Sequence, residues 1–510
     1  MNEIALKSLD HDLKKIAKEA GITFSGCLFG TGLKYICIVV IARHIGTLGF
    51  GIYALGLTIL NFAAVVSVAG LHYGVLRYVS LGYSGREKGK IKGTIVSALE
   101  LSLFASIVIG VLLFLGSDFI ASRIFMKREL GTIIRWFSLA LPFLAAIEIS
   151  VFSIQAVQTL KYKVLVKDIF QQIFNLAIVI FLFTIGLRIT GALYAYIISA
   201  FISALLGMYY LIGIFPDLMR REVKFVPEFS TLLRFSVPVL GMNILGFLMM
   251  WTDILMLGYF LTTRHVGIYN AAAKSAILIA GILVSFNAIF APMISDLYNR
   301  GEMDKLERLL KTVTKWIFTA SFAVFLLMVI LSKQIMLLFG SEFLLGLPCF
   351  LILAFSQMIN CAAGPVGSVL VMSGKQDIVL VDTAISSGLN IILNYILIEK
   401  YGIVGAALAT GFSVVFWNSA FFVQVYYFHR IHPYNLKFVK PVFSGIAAGV
   451  VSFGLGHMVR MGNHVTVSLF VIIVFILCYT VMLYVLGFDE EDRVVFKAIY
   501  RKVPPIVRKS

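Results

Sequence analysis

The chain has 510 residues, 60% of them hydrophobic and only 14% charged, with a formal net charge of +17 and a mean hydropathy of +0.96. A soluble domain is far less apolar, so the composition marks an integral membrane protein. The positive balance is no nucleic-acid footprint, because lysine and arginine are dispersed over short connectors rather than gathered on one face. The five cysteines lie scattered in apolar segments without CxxC spacing, which excludes a disulfide framework or metal cluster and leaves them as small core hydrophobes.

Residues 1–20 are polar, with Leu6, Leu9, Leu13 and Ile16 at helical spacing, and predict a cytoplasmic amphipathic segment on the membrane surface rather than a cleaved leader. A bilayer core needs about 20 apolar residues per helix, and fourteen such spans are expected between Gly21 and Gly487. They are expected to form a six-helix lobe at 21–215, a cytoplasmic linker at 216–229, a second six-helix lobe at 230–430, two further helices at 437–487 and a cytoplasmic tail at 488–510. No separate soluble domain fits. With the N-terminus inside, 30 lysines and arginines fall in inside connectors and 9 outside, which predicts that both termini are cytoplasmic. That count places Lys161, Lys163 and Lys167 in a connector.

The phrase FGIYALGLTIL at 50–60 returns as VGIYNAAAKSAIL at 266–278, with Gly51 and Gly267 separated by 216. Asp168 and Asp382, Asn175 and Asn390, and GALYAY and GAALAT follow at nearly the same offset. An even number of spans per lobe makes this a parallel repeat about an axis along the membrane normal, enclosing a central cleft.

Four cations remain inside the expected spans: Lys34, Arg77, Arg135 and Lys274. An ionisable group at bilayer depth costs about 2.5–3.5 kcal/mol on insertion scales, so it faces a partner or a wet cavity. Lys274 shares a stripe with Gly267, Ala271 and Gly281 one turn after Asn270, and Lys34 follows Cys27 and Gly30; such small residues mark helix contact or a cavity wall. Two readings stand side by side. The lysines neutralise a buried carboxylate such as Asp253, which has Asn243 and Thr252 near it in sequence, or they present charge to an anion in the cleft. The candidate substrate-binding set is therefore Lys34, Lys274, Asp253, Asn243 and Asn270. Glu100 and Glu148 are candidates for a coupling proton or sodium ion, or for ion pairs with Arg77 and Arg135. Asp382, Ser386, Asn390 and Asn394, with the shorter echo Asp168, Gln172 and Asn175, read as interhelical hydrogen-bonding stripes. Pro142, Pro238, Pro292 and Pro365 predict kinks that either stay fixed or serve as hinges.

The phrases ARHIGTLGFGIYALG, TDILMLGYFLTTRHVGIYNAAAK, FAPMISDLYNRGEMDKLERLL and AGPVGSVLVMSGK through YGIVGAALATGFSVVFWN resemble the polysaccharide transporter, or O-antigen flippase, family of the multidrug/oligosaccharidyl-lipid/polysaccharide exporter superfamily. The resemblance implies a fourteen-helix secondary transporter in the cytoplasmic membrane. It would move polyprenyl-diphosphate-linked oligosaccharide by alternating access for surface glycan synthesis, without an enzymatic site, metal or organic cofactor, driven by Na+ or H+. Its partners would be the lipid-linked oligosaccharide, membrane lipid and polysaccharide-assembly proteins. By position, Lys34 and Lys274 fall where the family's lumen cations occur, and Asp253 falls in its seventh-span Asp phrase. Two alternatives are an ion-coupled multidrug exporter of the same superfamily, and a membrane-embedded glycan polymerase or transferase; for the second, the DxD of Asp10 and Asp12 and the acidic run at 489–492 have no domain around them. No P-loop is present for ATP.

Overall fold

A computed structural model describes residues 3–157, 160–458 and 464–487, so the expected tail at 488–510 lies outside the described residues. Among the described residues every regular element is a helix. In chain order these are α1 (Glu3–Val68), α2 (Leu71–Ser84), α3 (Lys88–Phe119), α4 (Glu129–Ser138), α5 (Leu141–Gln155), α6 (Leu160–Lys163), α7 (Gln171–Thr184), α8 (Ile189–Ile214), α9 (Phe229–Phe260), α10 (Thr263–Asn299), α11 (Met303–Ile330), α12 (Ser332–Phe339), α13 (Leu347–Ala363), α14 (Val366–Met372), α15 (Gln376–His429), α16 (Val439–Met458) and α17 (His464–Val485). A π-helical stretch, Val164–Phe170, joins α6 to α7.

Among the described residues ten helices are long and apolar enough to cross a membrane, or eleven if α4 and α5, bent by 42° to each other, are one span. The count differs from the expected fourteen for a physical reason. α1 and α15 each run through a non-helical glycine, Gly46 with φ 73° and Gly402 with φ 59°, so one assigned helix contains two arms. The left-handed region costs glycine nothing, whereas a Cβ there is penalised. The apolar stretch Val439–Leu455 is shorter than the rest. The prolines sit where helices bend or begin: Pro142 opens α5, Pro238 and Pro292 lie inside α9 and α10, and Pro365 precedes α14.

The chain packs as two compact units. The first comprises Met1–Ser275, Met336–Leu353 and Leu380–Ser413, and the second Ala276–Ile335, Ala354–Val379 and Val414–Ser510. In the second unit α16 and α17 pack on each other and on α11, with Ala448 and Phe475 sealed between them. In the first unit α1 is the hub, touching α3, α4, α5, α7, α9 and the π-helical stretch.

The repeated phrase marks a contact of the first unit with itself. A Cβ on Gly51 would lie 1.7 Å from the Thr263 carbonyl oxygen, and a Cβ on Gly267 2.2 Å from the Thr47 carbonyl oxygen. Thr47 and Thr263 are themselves 216 residues apart, as are the glycines. Equivalent residues of the two copies thus meet each other reciprocally, the pattern of a two-fold-related contact. Thr47 also donates to Glu342 at 2.5 Å, and Lys127, in the connector before α4, donates to the carbonyls of Phe125 and Gly258; burial pushes its ammonium below the usual lysine range.

Candidate functional site

Lys34 on the first arm of α1 and Lys274 on α10 come together. The next residue along each helix forms a direct bond, Tyr35 Oη to Ser275 Oγ at 2.9 Å, and Lys34 lies within electrostatic reach of Lys274. Lys274 is half-buried and its Nζ stands 4.1 Å from the centroid of the Trp251 ring, a cation–π contact that can hold a desolvated ammonium. Trp251 in turn stacks on Phe247, whose other neighbour is Phe62. Lys34 is exposed and makes no ion pair among the described residues. One turn before Lys274 on α10, Asn270 is buried and its Oδ1 has no hydrogen-bonding partner within the protein. Asn243 is half-buried on α9.

Asp253 corrects one expectation. It is 9% exposed and its counter-groups are neutral: Tyr269 Oη donates to Oδ2 at 2.5 Å, Thr410 Oγ1 to the same oxygen, and Asn394 Nδ2 to Oδ1 at 2.8 Å. Asn390 closes the group, bonding Thr410 and Asn394. The carboxylate therefore belongs to a nest drawn from α9, α10 and both arms of α15, and neither lysine is spent on it. The reason is geometric: the helical stripe that carries Asn390 and Asn394 delivers two amides to the same depth, as the interhelical bonding expected of that stripe requires. Asp382 Oδ2 and Ser386 Oγ, on the same stripe, are buried without partners within the protein.

The ion-pair expectations for the first half are also corrected. Glu148 on α5 pairs with Lys167, and Arg135 with Asp118. Arg77 lies over the rings of Phe235 and Tyr78 at 5.2 and 5.9 Å. Glu100 is exposed on α3. Lys163 and Lys167, counted as connector cations on hydropathy, lie within the apolar helical run Lys161–Thr184. Short apolar windows cannot separate the last residues of a connector from the first turns of a span. One signal was available: Lys167 and Asp168 are adjacent, and a lone connector lysine does not need a neighbouring acid.

Cys27 donates to Asp168 Oδ2 at 3.6 Å. Gly30, one turn before Lys34, lets the first arm of α1 approach until a Cβ would stand 2.3 Å from the Asp168 carbonyl oxygen. Trp251 and Tyr269 escaped the sequence reading because aromatic residues in an apolar span look like filler; only their contacts give them roles.

An all-helical membrane protein whose span lysines Lys34 and Lys274 have no carboxylate bonded to them among the described residues, with a polar nest around Asp253, has the build of a carrier. The family profile described as polysaccharide biosynthesis protein matches residues 16–298, and the profile described as MatE matches residues 238–396. The chain belongs to the polysaccharide biosynthesis protein family, a flippase family of the same exporter superfamily, and is a transporter rather than an enzyme. It is 25% identical to the probable low-salt glycan biosynthesis flippase Agl15 of Haloferax volcanii over 96% of this chain and 99% of that one. It is 22% identical to the uncharacterized membrane protein MJ1068 of Methanocaldococcus jannaschii over 81% and 84%. Among solved structures, its fold is similar to the lipid II flippase MurJ in an inward closed conformation, with TM-score 0.73, 15% identity and coverage of 90% and 97%. It is also similar to an inward-facing multidrug resistance MATE transporter, with TM-score 0.66, 16% identity and coverage of 83% and 99%.

Proposed function

We propose that the protein is a secondary transporter that moves polyprenyl-diphosphate-linked oligosaccharide across the cytoplasmic membrane by alternating access, with both termini cytoplasmic and fourteen spans once α4 and α5 are joined as one, α1 and α15 are divided at Gly46 and Gly402, and Val439–Leu455 is added. The observation that carries this reading is the meeting of Lys34 and Lys274 without a carboxylate between them. A diphosphate cannot enter hydrocarbon unaided, because the desolvation of its charge is prohibitive. Two ammonium groups on helices from the two halves of the repeat replace its water with charge-assisted bonds, and the lipid tail stays in the bilayer. The named flippase relatives support this cargo class.

The Asp253 nest is the better candidate for ion coupling than Glu100 or Glu148. It sets one carboxylate among hydroxyl and amide oxygens from several helices, the donor set of a hard cation such as Na+, and a proton could take the same place. Polysaccharide-assembly proteins are expected partners on the family reading. The MatE match at 238–396 favours a second reading, export of organic cations, which a cationic dye loaded into vesicles tests.

The decisive experiment is complementation of surface glycan in a host lacking this protein. Lys274→Ala at normal expression should lower surface glycan by about tenfold or more, and Lys274→Arg should retain part of it. Full glycan with Lys274→Ala overturns the phosphate role.

A further inference from the structure

The first half holds a second group of charges that shares Lys34 with the lysine pair. Lys163 and Lys167 reach inward from the α6–α7 run, Glu148 from α5 and His72 from α2, with Lys34 and Asp168 within electrostatic reach of Lys167. Three lysines face two carboxylates, so one positive charge is left over even before Lys274 is included. Glu148 holds Lys167; among the described residues Lys163 bonds the Gln155 amide oxygen at 3.1 Å and lies 4.5 Å from the Phe152 ring, and Lys34 has no bonded partner. His72 Nδ1 is buried and unpartnered within the protein.

The backbone is shaped to gather these groups. A Cβ at Gly26 would stand 2.2 Å from Val164 Cγ1, and one at Gly30 would meet Asp168, so the two glycines, one turn apart, admit the π-helical stretch that carries Lys167. π-Helical turns recur where a side chain must be re-aimed. The Glu148–Lys167 pair is not sealed: the side chains keep 26% and 38% of their exposure. Exchanging one oxyanion for another on an ammonium keeps its charge matched, whereas removing the anion altogether leaves a partly desolvated charge unpaired.

We propose that the first half carries an oxyanion site of its own, formed by Lys163, Lys167 and Lys34, in which Glu148 is the resident counter-ion and an acidic group of the cargo takes its place. The ligand chemistry is a carboxylate or phosphoryl oxygen, supplied by an acidic sugar or by the diphosphate itself. The proposal rests on the lipid-linked glycan reading above and adds a displaceable internal carboxylate to it.

The test is a calorimetric titration of the full-length protein in detergent with glucuronate and with inorganic pyrophosphate. Glu148→Gln keeps the shape and removes the competitor, so it should tighten binding by about fivefold or more, while Lys167→Ala should weaken it by a similar factor. A response to glucuronate assigns the site to an acidic sugar, and a response to pyrophosphate alone assigns it to the diphosphate. Unchanged or weaker binding in a Glu148→Gln protein that melts normally overturns the proposal, as does failure of both anions to bind. Should Glu148→Gln not fold, the unsubstituted protein decides: either anion must protect Lys163 and Lys167 from an amine-acylating reagent, and equal labelling overturns the site. The complementation result for Lys274→Ala is independent of these readouts, so failure of the transport reading is distinguishable from failure of this one.

Discussion

Asp253 shows what one buried charge asks of its surroundings. Three donors on three other helical segments converge on two oxygens, so truncation strands all of them. Asp253→Ala should lower the melting temperature in detergent by the equivalent of about 2–4 kcal/mol, because buried donors left unpaired keep their desolvation cost. Asp253→Asn, which keeps an acceptor but no charge, should melt closer to the parent and lose any Na+-dependent shift. Equal melting of parent and Asp253→Ala would refute the nest as a structural tie. In the linker, half-buried Asp217 lies 3.0 Å from Lys88 Nζ and 3.2 Å from Arg220. The Lys88 bond, with Arg220 adding to it, holds this carboxyl below the usual carboxylate range. A carboxyl depressed in the folded state stabilises at all pH values above its unfolded pKa and loses that contribution as pH falls through the folded one. The linker should therefore resist an acid-active protease at pH 4 and become susceptible only at lower pH.

At the level of helices, the two GIY phrases are a packing device. Their glycines face carbonyl oxygens of backbone, which cannot swing aside as a side-chain tip can. Gly51→Ala or Gly267→Ala should each cost about 1–3 kcal/mol by overpacking and lower the yield of folded protein in detergent. Gly116→Ala on α3, where an added Cβ meets nothing within 4 Å, is the control and should gain about 0.5–1 kcal/mol from helix propensity. Identical behaviour of the three variants would contradict the crossing. The helices themselves were legible in the sequence, since runs of 20 apolar residues admit no other structure in lipid. Charge marked two of their divisions as well: Arg43 and His44 precede the break at Gly46, and Glu399 and Lys400 precede the break at Gly402.

Across the whole molecule, the asymmetry between the two halves is the main functional feature. The GIY phrase is used twice, yet where the second copy's surroundings hold Asp253, Tyr269 and Lys274, the first has Cys37, Tyr53 and Thr58 at the 216-residue offset. The first half instead keeps its charges on α5 and the α6–α7 run. This division of labour fits a carrier in which one half is tied to ion coupling and both contribute cations to the cargo. The charge bias predicts its orientation: single cysteines placed at either end of the chain should react with an impermeant maleimide in inverted vesicles and not in intact cells. Labelling in intact cells would reverse the assignment.

Amino-acid order alone determined that the protein lives in the membrane, that it is helical, that it is built from a repeat and that Lys34 and Lys274 are out of place in hydrocarbon. Each of these follows from local quantities, namely transfer free energy, period and spacing, which need no partner to be evaluated. Which charges answer one another was decided only by tertiary structure. Asp253 is bound by neutral groups from residues 269, 394 and 410, Glu148 is matched to Lys167 rather than to either arginine, and Trp251 holds Lys274. Electrostatic pairing falls off within a few ångströms, and sequence separation carries no information about which helices pass that close.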